Sequence, residues 1–234
     1  MRCFEAALND QREKRDPQQA IGILVDLANV CAILGDRDRA RSLYQEVLDL
    51  HRDTPDPRTV GLILCNLGNL SREAGEAERA RAYYLEAMDR LAEAADSRSL
   101  GILQSNVGLL ERDLGRPEEA IVCFRKSIDL YKESGSEEGL ASTWGQLGRT
   151  FLVLGKHKDA ETCFNHSSTH FGRLGDLTGE AEALRGLADV YEARNERDLA
   201  ARCMERAIEL YRRLGLPSLS SDIERLNRLV KGAG

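Results

Sequence analysis

Three side chains in the C-terminal half have the types and the spacing of a metal site. Cys163, His166 and His170 would lie along one stripe of a helix, and thiolate and imidazole groups are zinc ligands. However, Cys123 and Cys203 stand 40 residues before and after Cys163, and no histidine follows either of them closely. A small core residue explains a cysteine that recurs in this way. We therefore predict no metal site and no cofactor.

The other residue types that do chemistry stand in no catalytic arrangement. The sequence contains no P-loop, and none of its serines has the setting of a nucleophile elbow. Its four histidines are not paired with a cysteine or an aspartate in a catalytic motif. We therefore predict that the chain is not an enzyme.

Composition and charge exclude further classes. The 234 residues include 33 basic and 39 acidic side chains, well interleaved, for a net charge of −6. Nucleic acid and anionic membrane surfaces both require a concentrated basic surface, so we expect neither as a partner. The charged N-terminus lacks the apolar stretch of a secretory signal. Six well-separated cysteines without a C-x-x-C pair indicate reduced thiols and a cytoplasmic protein.

The elements that position these side chains are set by a 40-residue repeat. One position holds glycine or asparagine: Gly35, Gly75, Gly115, Gly155 and Asn195. A position seven residues before it holds a small residue: Ala28, Gly68, Gly108, Gly148 and Ala188. A third position is always alanine, and four residues later comes a large residue: Tyr44, Tyr84, Phe124, Phe164 and Met204. Such fixed spacing is typical of helical repeat proteins.

Each repeat is predicted to fold as two antiparallel helices. Glycine and asparagine tolerate the left-handed conformation that ends a helix, and the small residue allows a second helix to approach closely. Good N-caps also recur every 40 residues: Asp16, Asp56, Asp96, Ser136 and Asp176. The predicted repeats span about 17–56, 57–96, 97–136, 137–176 and 177–216, and residues 218–231 are predicted to form a C-terminal capping helix.

The N-terminal segment matches the second helix of a repeat. Residues 2–8 resemble residues 202–208, so residues 1–14 are expected to form the second helix of a partial preceding repeat. The chain is then either a part of a longer array or a solenoid with a degenerate N-terminal cap. In both cases we predict one all-α solenoid over residues 1–234, with about 12 helices.

The fourth repeat carries a nearly complete family signature. It resembles the tetratricopeptide pattern W-x2-L-G-x2-Y … A-x3-F through Trp144, Leu147, Gly148, Phe151, Ala160 and Phe164. The 40-residue variant is similar to the repeats of cell-polarity adaptors of the LGN/Pins type, kinesin light chains and bacterial signalling proteins. The resemblance implies a right-handed superhelical solenoid of antiparallel helix pairs that binds protein partners.

The resemblance also implies that the first helix of each pair lines a concave groove. Three sets of side chains then become candidates for binding a peptide. The amides are Asn29, Asn66, Asn69, Asn106 and Gln146. The arginines are Arg72, Arg112, Arg149 and Arg185, and the apolar residues are Leu62, Ile102 and Leu109. Amides can pair with a peptide backbone and arginines with carboxylates, although asparagines can also cap local backbone and arginines can be merely solvated.

Three functions remain open on this reading. The leading hypothesis is an interaction scaffold that binds a protein or peptide segment in the groove. The second is a regulatory sensor module of a larger, possibly bacterial, signalling ATPase or transcription regulator. The third is homotypic assembly, in which the ends of repeat arrays associate with each other.

Overall fold

The computed structural model describes residues 17–51, 56–215 and 220–231. These residues form eleven α-helices, and the described part of the chain contains no strand. Six helices come first, namely α1 (Pro17–Ile33), α2 (Arg37–Leu50), α3 (Pro57–Glu73), α4 (Ala77–Glu93), α5 (Ser97–Asp113) and α6 (Pro117–Ser134). Five follow, namely α7 (Glu137–Val153), α8 (His157–Leu174), α9 (Leu177–Ala193), α10 (Arg197–Arg213) and α11 (Ser220–Lys231).

The chain divides into two compact units, Met1–Leu103 and Gln104–Gly234. In the first unit, α1 packs on α2, α3 packs on α4, and α2 also contacts α3. In the second unit, each helix from α6 to α11 packs on the next one along the chain, and α7 also contacts α9. Helices in consecutive packed pairs confirm the all-α class that the repeat predicted.

The first helix of each pair ends at a residue in the left-handed backbone conformation, as predicted. All five predicted positions have a positive φ: Gly35, Gly75, Gly115, Gly155 and Asn195. The connections between pairs use the same conformation at Gly135, Gly175 and Gly215. Ala95 stands at the equivalent place with a φ of 51° although it carries a Cβ atom.

Side-chain caps begin the first helices of the later pairs. Asp56 accepts a hydrogen bond from the backbone N–H of Thr59 at 3.0 Å, and Asp96 accepts one from Ser99 at 3.0 Å. Ser136 and Asp176 cap α7 and α9 in the same way. These four predicted caps are confirmed, whereas Asp16 lies outside the described residues.

The large residue of each second helix fills the space beside a small residue of the first. A Cβ atom added to Gly68 would lie 2.3 Å from Cε1 of Tyr84, and one added to Gly108 would lie 2.8 Å from Cε1 of Phe124. Tyr44, Phe164 and Met204 are buried at the equivalent positions. The recurring small residue is therefore needed for close packing of the two helices.

The C-terminal capping helix lies at Ser220–Lys231, within the predicted range. Its Leu226 and Leu229 pack against a cluster that contains Ala188, Ala200 and Met204. The predicted helix over residues 1–14 lies outside the described residues, and the prediction of a single solenoid stays a prediction. None of the described helices is both long and apolar enough to cross a membrane.

Replacing Ala95 by glycine should stabilise the protein. The left-handed conformation costs a residue with a Cβ atom roughly 1–2 kcal/mol, and glycine avoids this cost. We expect Ala95→Gly to raise the free energy of unfolding in urea by about 1 kcal/mol, after allowing for the greater freedom of glycine in the unfolded chain.

Ala94→Gly is the matched control, because Ala94 has a right-handed φ of −76°. That change should lower the free energy of unfolding by roughly 0.5–1 kcal/mol. A stability loss for both variants would contradict the assignment of strain to Ala95.

Candidate functional site

The first unit contains a cavity lined by three of the predicted amides. Its volume is about 470 Å³, and α1, α2 and α3 supply its walls. We call it the amide cavity, lined by Asn29, Ala32, Ile33, Tyr44, Asn66, Asn69, Leu70 and Glu73. It therefore combines apolar side chains with amides and a single carboxylate, as ligand pockets commonly do.

Two buried tyrosines set the orientation of two of these amides. The hydroxyl of Tyr44 donates to Oδ1 of Asn29, and the hydroxyl of Tyr84 donates to Oδ1 of Asn69 at 2.7 Å. Burial raises the pKa of Tyr44 to about 12 and also raises the pKa of Tyr84, so both hydroxyls keep their protons at neutral pH. A tyrosine hydroxyl that donates its proton requires the amide oxygen, so the amide NH₂ group points elsewhere.

The third amide joins this arrangement from the helix turn before Asn69. Nδ2 of Asn66 donates to Oδ1 of Asn29 at 3.4 Å, which links α3 to α1. The oxygen of Asn29 thus accepts two hydrogen bonds, one from Tyr44 and one from Asn66. Among the described residues, no group accepts a hydrogen bond from the NH₂ groups of Asn29 and Asn69.

The sequence analysis did not predict that tyrosine pairs with asparagine, although the spacing of the two residues in the repeats indicates it. The partners are 15 residues apart in both repeats. The corresponding pairs in later repeats are Leu109 with Phe124, Arg149 with Phe164, and Asp189 with Met204. Asparagine thus occurs at the first position only where tyrosine occurs at the second, because a buried hydroxyl needs an acceptor.

The remaining candidates of the first unit are not among the residues that line the amide cavity. Leu62 is half-buried and Ile102 is exposed, on α3 and α5. Arg72 is half-buried and hydrogen-bonds to the Tyr84 hydroxyl, where its charge acts to lower the pKa that burial raises. Arg72 therefore supports the same tyrosine that orients Asn69.

In the second unit the candidate arginines pair with side chains of other helices. The partners of Arg112 and Arg149 lie on the first helix of the following pair, and the partner of Arg185 lies on the capping helix. Arg112 donates to Oε1 of Gln146 at 2.9 Å, and Arg149 lies 3.4 Å from Oε2 of Glu182. Arg185 lies 3.3 Å from Oδ1 of the buried Asp222 on α11. A carboxylate ligand would have to displace these partners, which lowers its net gain from binding there.

The other two candidates of the second unit, Asn106 and Leu109, are half-buried. Leu109 packs against the core cluster of this unit. Asn106 makes contacts within the chain and lies on the same helix, α5. Whether either residue touches a ligand stays a prediction.

A second cavity, of about 360 Å³, lies between α7, α9 and α11. Its lining is almost entirely charged: Arg149, Glu182, Arg185, Gly186, Asp189 and Arg225. Arg225 lies 2.6 Å from Asp189 and 2.6 Å from Glu192, and so ties α11 to α9. Because opposite charges already neutralise each other here, the amide cavity is the stronger candidate for a ligand site.

The series of amides ends in the fifth repeat for a steric reason. Gly186 occupies the place of Asn66, Asn106 and Gln146. A Cβ atom added to Gly186 would lie 2.4 Å from Cε1 of Phe164, whose ring fills this space. Packing therefore excludes a longer side chain at this position.

The three side chains with metal-ligand spacing each have different surroundings in the structure. Cys163 is buried, and burial raises its pKa to about 12, so its thiol stays protonated. The ring of His166 stacks on Trp144 with the centroids 4.6 Å apart, and His170 hydrogen-bonds to Glu137. Among the described residues, no group of three or more His, Cys, Asp or Glu side chains could hold a metal ion.

The model of the tetratricopeptide repeat family matches this chain four times, over residues 19–93, 59–133, 99–171 and 139–213. The matches advance by the 40-residue period of the sequence and together cover most of its length. The comparison with curated protein sequences finds no match.

Solved structures share the fold at low sequence identity. BtubC (BKLC) from P. vanneervenii has a TM-score of 0.80 and 19% identity, over 91% of this chain and 90% of that one. A signal transduction ATPase with numerous domains and a tetratricopeptide repeat sensor, from Pyrococcus horikoshii, has a TM-score of 0.76 and 15% identity. That match covers 98% of this chain but only 33% of the ATPase.

A putative kinesin light chain with nearly identical repeats, from Podosopora anserina, is also similar. Its TM-score is 0.66 at 14% identity, over 85% of this chain and 98% of that one. At such identities, the likeness establishes the fold and says nothing of a shared ligand.

A double-mutant cycle should test the coupling of tyrosine to asparagine. Asn69→Leu alone leaves the buried hydroxyl of Tyr84 without its acceptor and should lower the free energy of unfolding by about 1–3 kcal/mol. The double variant Asn69→Leu/Tyr84→Phe installs the pair found at Leu109 and Phe124 and should recover most of this loss. Urea unfolding of the four proteins measures the cycle. A double variant as unstable as Asn69→Leu would show that the hydroxyl does not depend on the amide.

Proposed function

Because this chain belongs to the tetratricopeptide repeat family, we propose that its first unit binds an extended segment of a partner protein in the amide cavity. The family fold is one of protein-interaction and sensor modules. The finer assignment, to a particular cavity and to an extended ligand, is our proposal. It depends on the orientation of the amides within the first unit.

The observation that carries the proposal is the contact of each tyrosine hydroxyl with an asparagine oxygen. With the oxygens of Asn29 and Asn69 occupied, the NH₂ groups are the parts of these amides left for a ligand. An extended peptide offers backbone carbonyl oxygens whatever its side chains. The two amides are held in place before binding, which reduces the entropy lost when the complex forms.

Apolar side chains of the cavity supply the second contribution. Ile33 is 84% exposed, although it is a large aliphatic residue at the C-terminal end of α1. Ala32 and Leu70 line the cavity beside it. Covering such apolar surface favours binding by about 25 cal/mol for each Å² removed from water.

The amide pairs can be tested by replacing them with a residue pair that the chain itself uses in another repeat. The fourfold variant Asn29→Leu/Tyr44→Phe/Asn69→Leu/Tyr84→Phe carries the leucine–phenylalanine pair of the third repeat in both places. Peptides selected from a random display library on the intact chain would serve as probes, with affinity measured by fluorescence anisotropy. We expect the variant to bind them about 5- to 150-fold more weakly, since two hydrogen bonds of roughly 0.5–1.5 kcal/mol each are lost.

Two single substitutions at equivalent positions provide the matched control. Ile33→Ser removes the exposed apolar group of the cavity, whereas Val153→Ser makes a similar change at the equivalent position of the fourth repeat, where the valine is 76% exposed. Only Ile33→Ser should weaken binding. Equal effects of the two changes, or unchanged affinity in the fourfold variant, would place the peptide site elsewhere.

The regulatory and homotypic alternatives stay predictions. The likeness to the tetratricopeptide repeat sensor of the Pyrococcus horikoshii ATPase is a likeness of fold. If this chain is part of a longer protein, a nucleotide-binding motif elsewhere in that protein would favour the sensor hypothesis. Sedimentation of the purified chain at high concentration tests homotypic assembly, which a strict monomer would contradict.

A further inference from the structure

The amide cavity has one charged residue among those that line it. Glu73 lies at the C-terminal end of α3 and is exposed. The other lining residues are three amides, a tyrosine and three apolar residues. A ligand in this cavity therefore meets an aliphatic surface, hydrogen-bonding amides and one negative charge.

No other described residue that lines the amide cavity neutralises the charge of Glu73. No arginine or lysine is among the residues that line the cavity in the described part of the chain. The neighbouring Arg72 hydrogen-bonds to the hydroxyl of Tyr84, and both Arg72 and Glu73 influence the pKa of that tyrosine. The described residues that line the cavity therefore carry a net negative charge, which favours a cation over an anion.

Building on the proposed function, we propose that the amide cavity takes a lysine or arginine side chain of the bound segment, whose cationic end pairs with Glu73. The aliphatic stem of such a side chain would pack against Ile33, Ala32 and Leu70 while its head remains near water. The amides of Asn29 and Asn69 hold the adjoining backbone. The cavity, at about 470 Å³, is within the roughly 300–1,000 Å³ range of ligand pockets.

Other occupants fit this chemistry less well. An acidic side chain would be repelled by Glu73. A purely aliphatic side chain would cover the same apolar surface but would bring no partner for the carboxylate. The lysine and norleucine side chains differ mainly in the charged amino group, so their comparison isolates the contribution of Glu73.

Blocked tripeptides can probe the cavity without knowledge of the natural partner. The probes are acetyl-Gly-Lys-Gly-amide, its arginine counterpart, and the same peptide with norleucine or glutamate in the centre. Each is titrated to millimolar concentration into the intact chain labelled with ¹⁵N-asparagine. The side-chain NH₂ signals of Asn29, Asn66 and Asn69, assigned by substitution, report binding at the cavity.

We expect the lysine and arginine peptides to shift these signals and to bind about two- to fivefold more tightly than the norleucine peptide, the range of a partly exposed ion pair. Glu73→Gln should bring lysine and norleucine to equal affinity without weakening norleucine. Glu86→Gln, at an exposed carboxylate of α4, should leave the ratio unchanged.

Different failures have different meanings. If lysine and norleucine bind the unmodified protein equally, or if Glu73→Gln does not change their ratio, the charge assignment is overturned while the peptide site stands. If no peptide shifts any of the three amide signals, both the site and this inference are overturned.

Discussion

The structure depends on the contact between a large side chain of each second helix and a small residue of the first. Tyr84 against Gly68 and Phe124 against Gly108 show how little room this contact leaves. Because protein interiors are packed to nearly crystalline density, a ring in that place sets the separation of the two helices. The left-handed turns and the N-caps then determine where each helix ends and the next begins. The same small set of contacts, repeated every 40 residues, produces each pair in turn.

The candidate site depends on the same packing contact. In the first two repeats the packed ring is a tyrosine, and its hydroxyl reaches an asparagine on the first helix. A buried hydroxyl requires an acceptor, so the core of the pair controls the orientation of an amide at the cavity. Where the ring is Phe124 or Phe164, no hydroxyl is present and the asparagine is absent too. Packing and candidate binding chemistry are therefore linked through the same residues.

The second unit uses the same helix positions differently. Its arginines connect the first helix of one pair to the first helix of the following pair. Arg225 and Asp222 connect the capping helix α11 to α9. Arg149, Arg185 and Arg225 each pair with a carboxylate, so these arginines connect helices, and a ligand would have to compete with their partners. The amide cavity keeps Glu73 without such a partner among its lining residues. This difference in charge compensation distinguishes the two cavities more clearly than their size.

The sequence by itself determined the helix pairs and their boundaries. Gly35, Asn195 and Asp56 act through local backbone geometry, which is encoded within a few residues, and they lie where the repeat predicted. The sequence also singled out the amides as a group. It did not determine which of their atoms face a ligand, because that depends on Tyr44 and Tyr84 from the neighbouring helix. Nor did it show that Arg112 and Arg149 are already paired. Such contacts join residues 33 or 34 positions apart, and only the tertiary structure, by packing one first helix beside the next, decides which side chains meet.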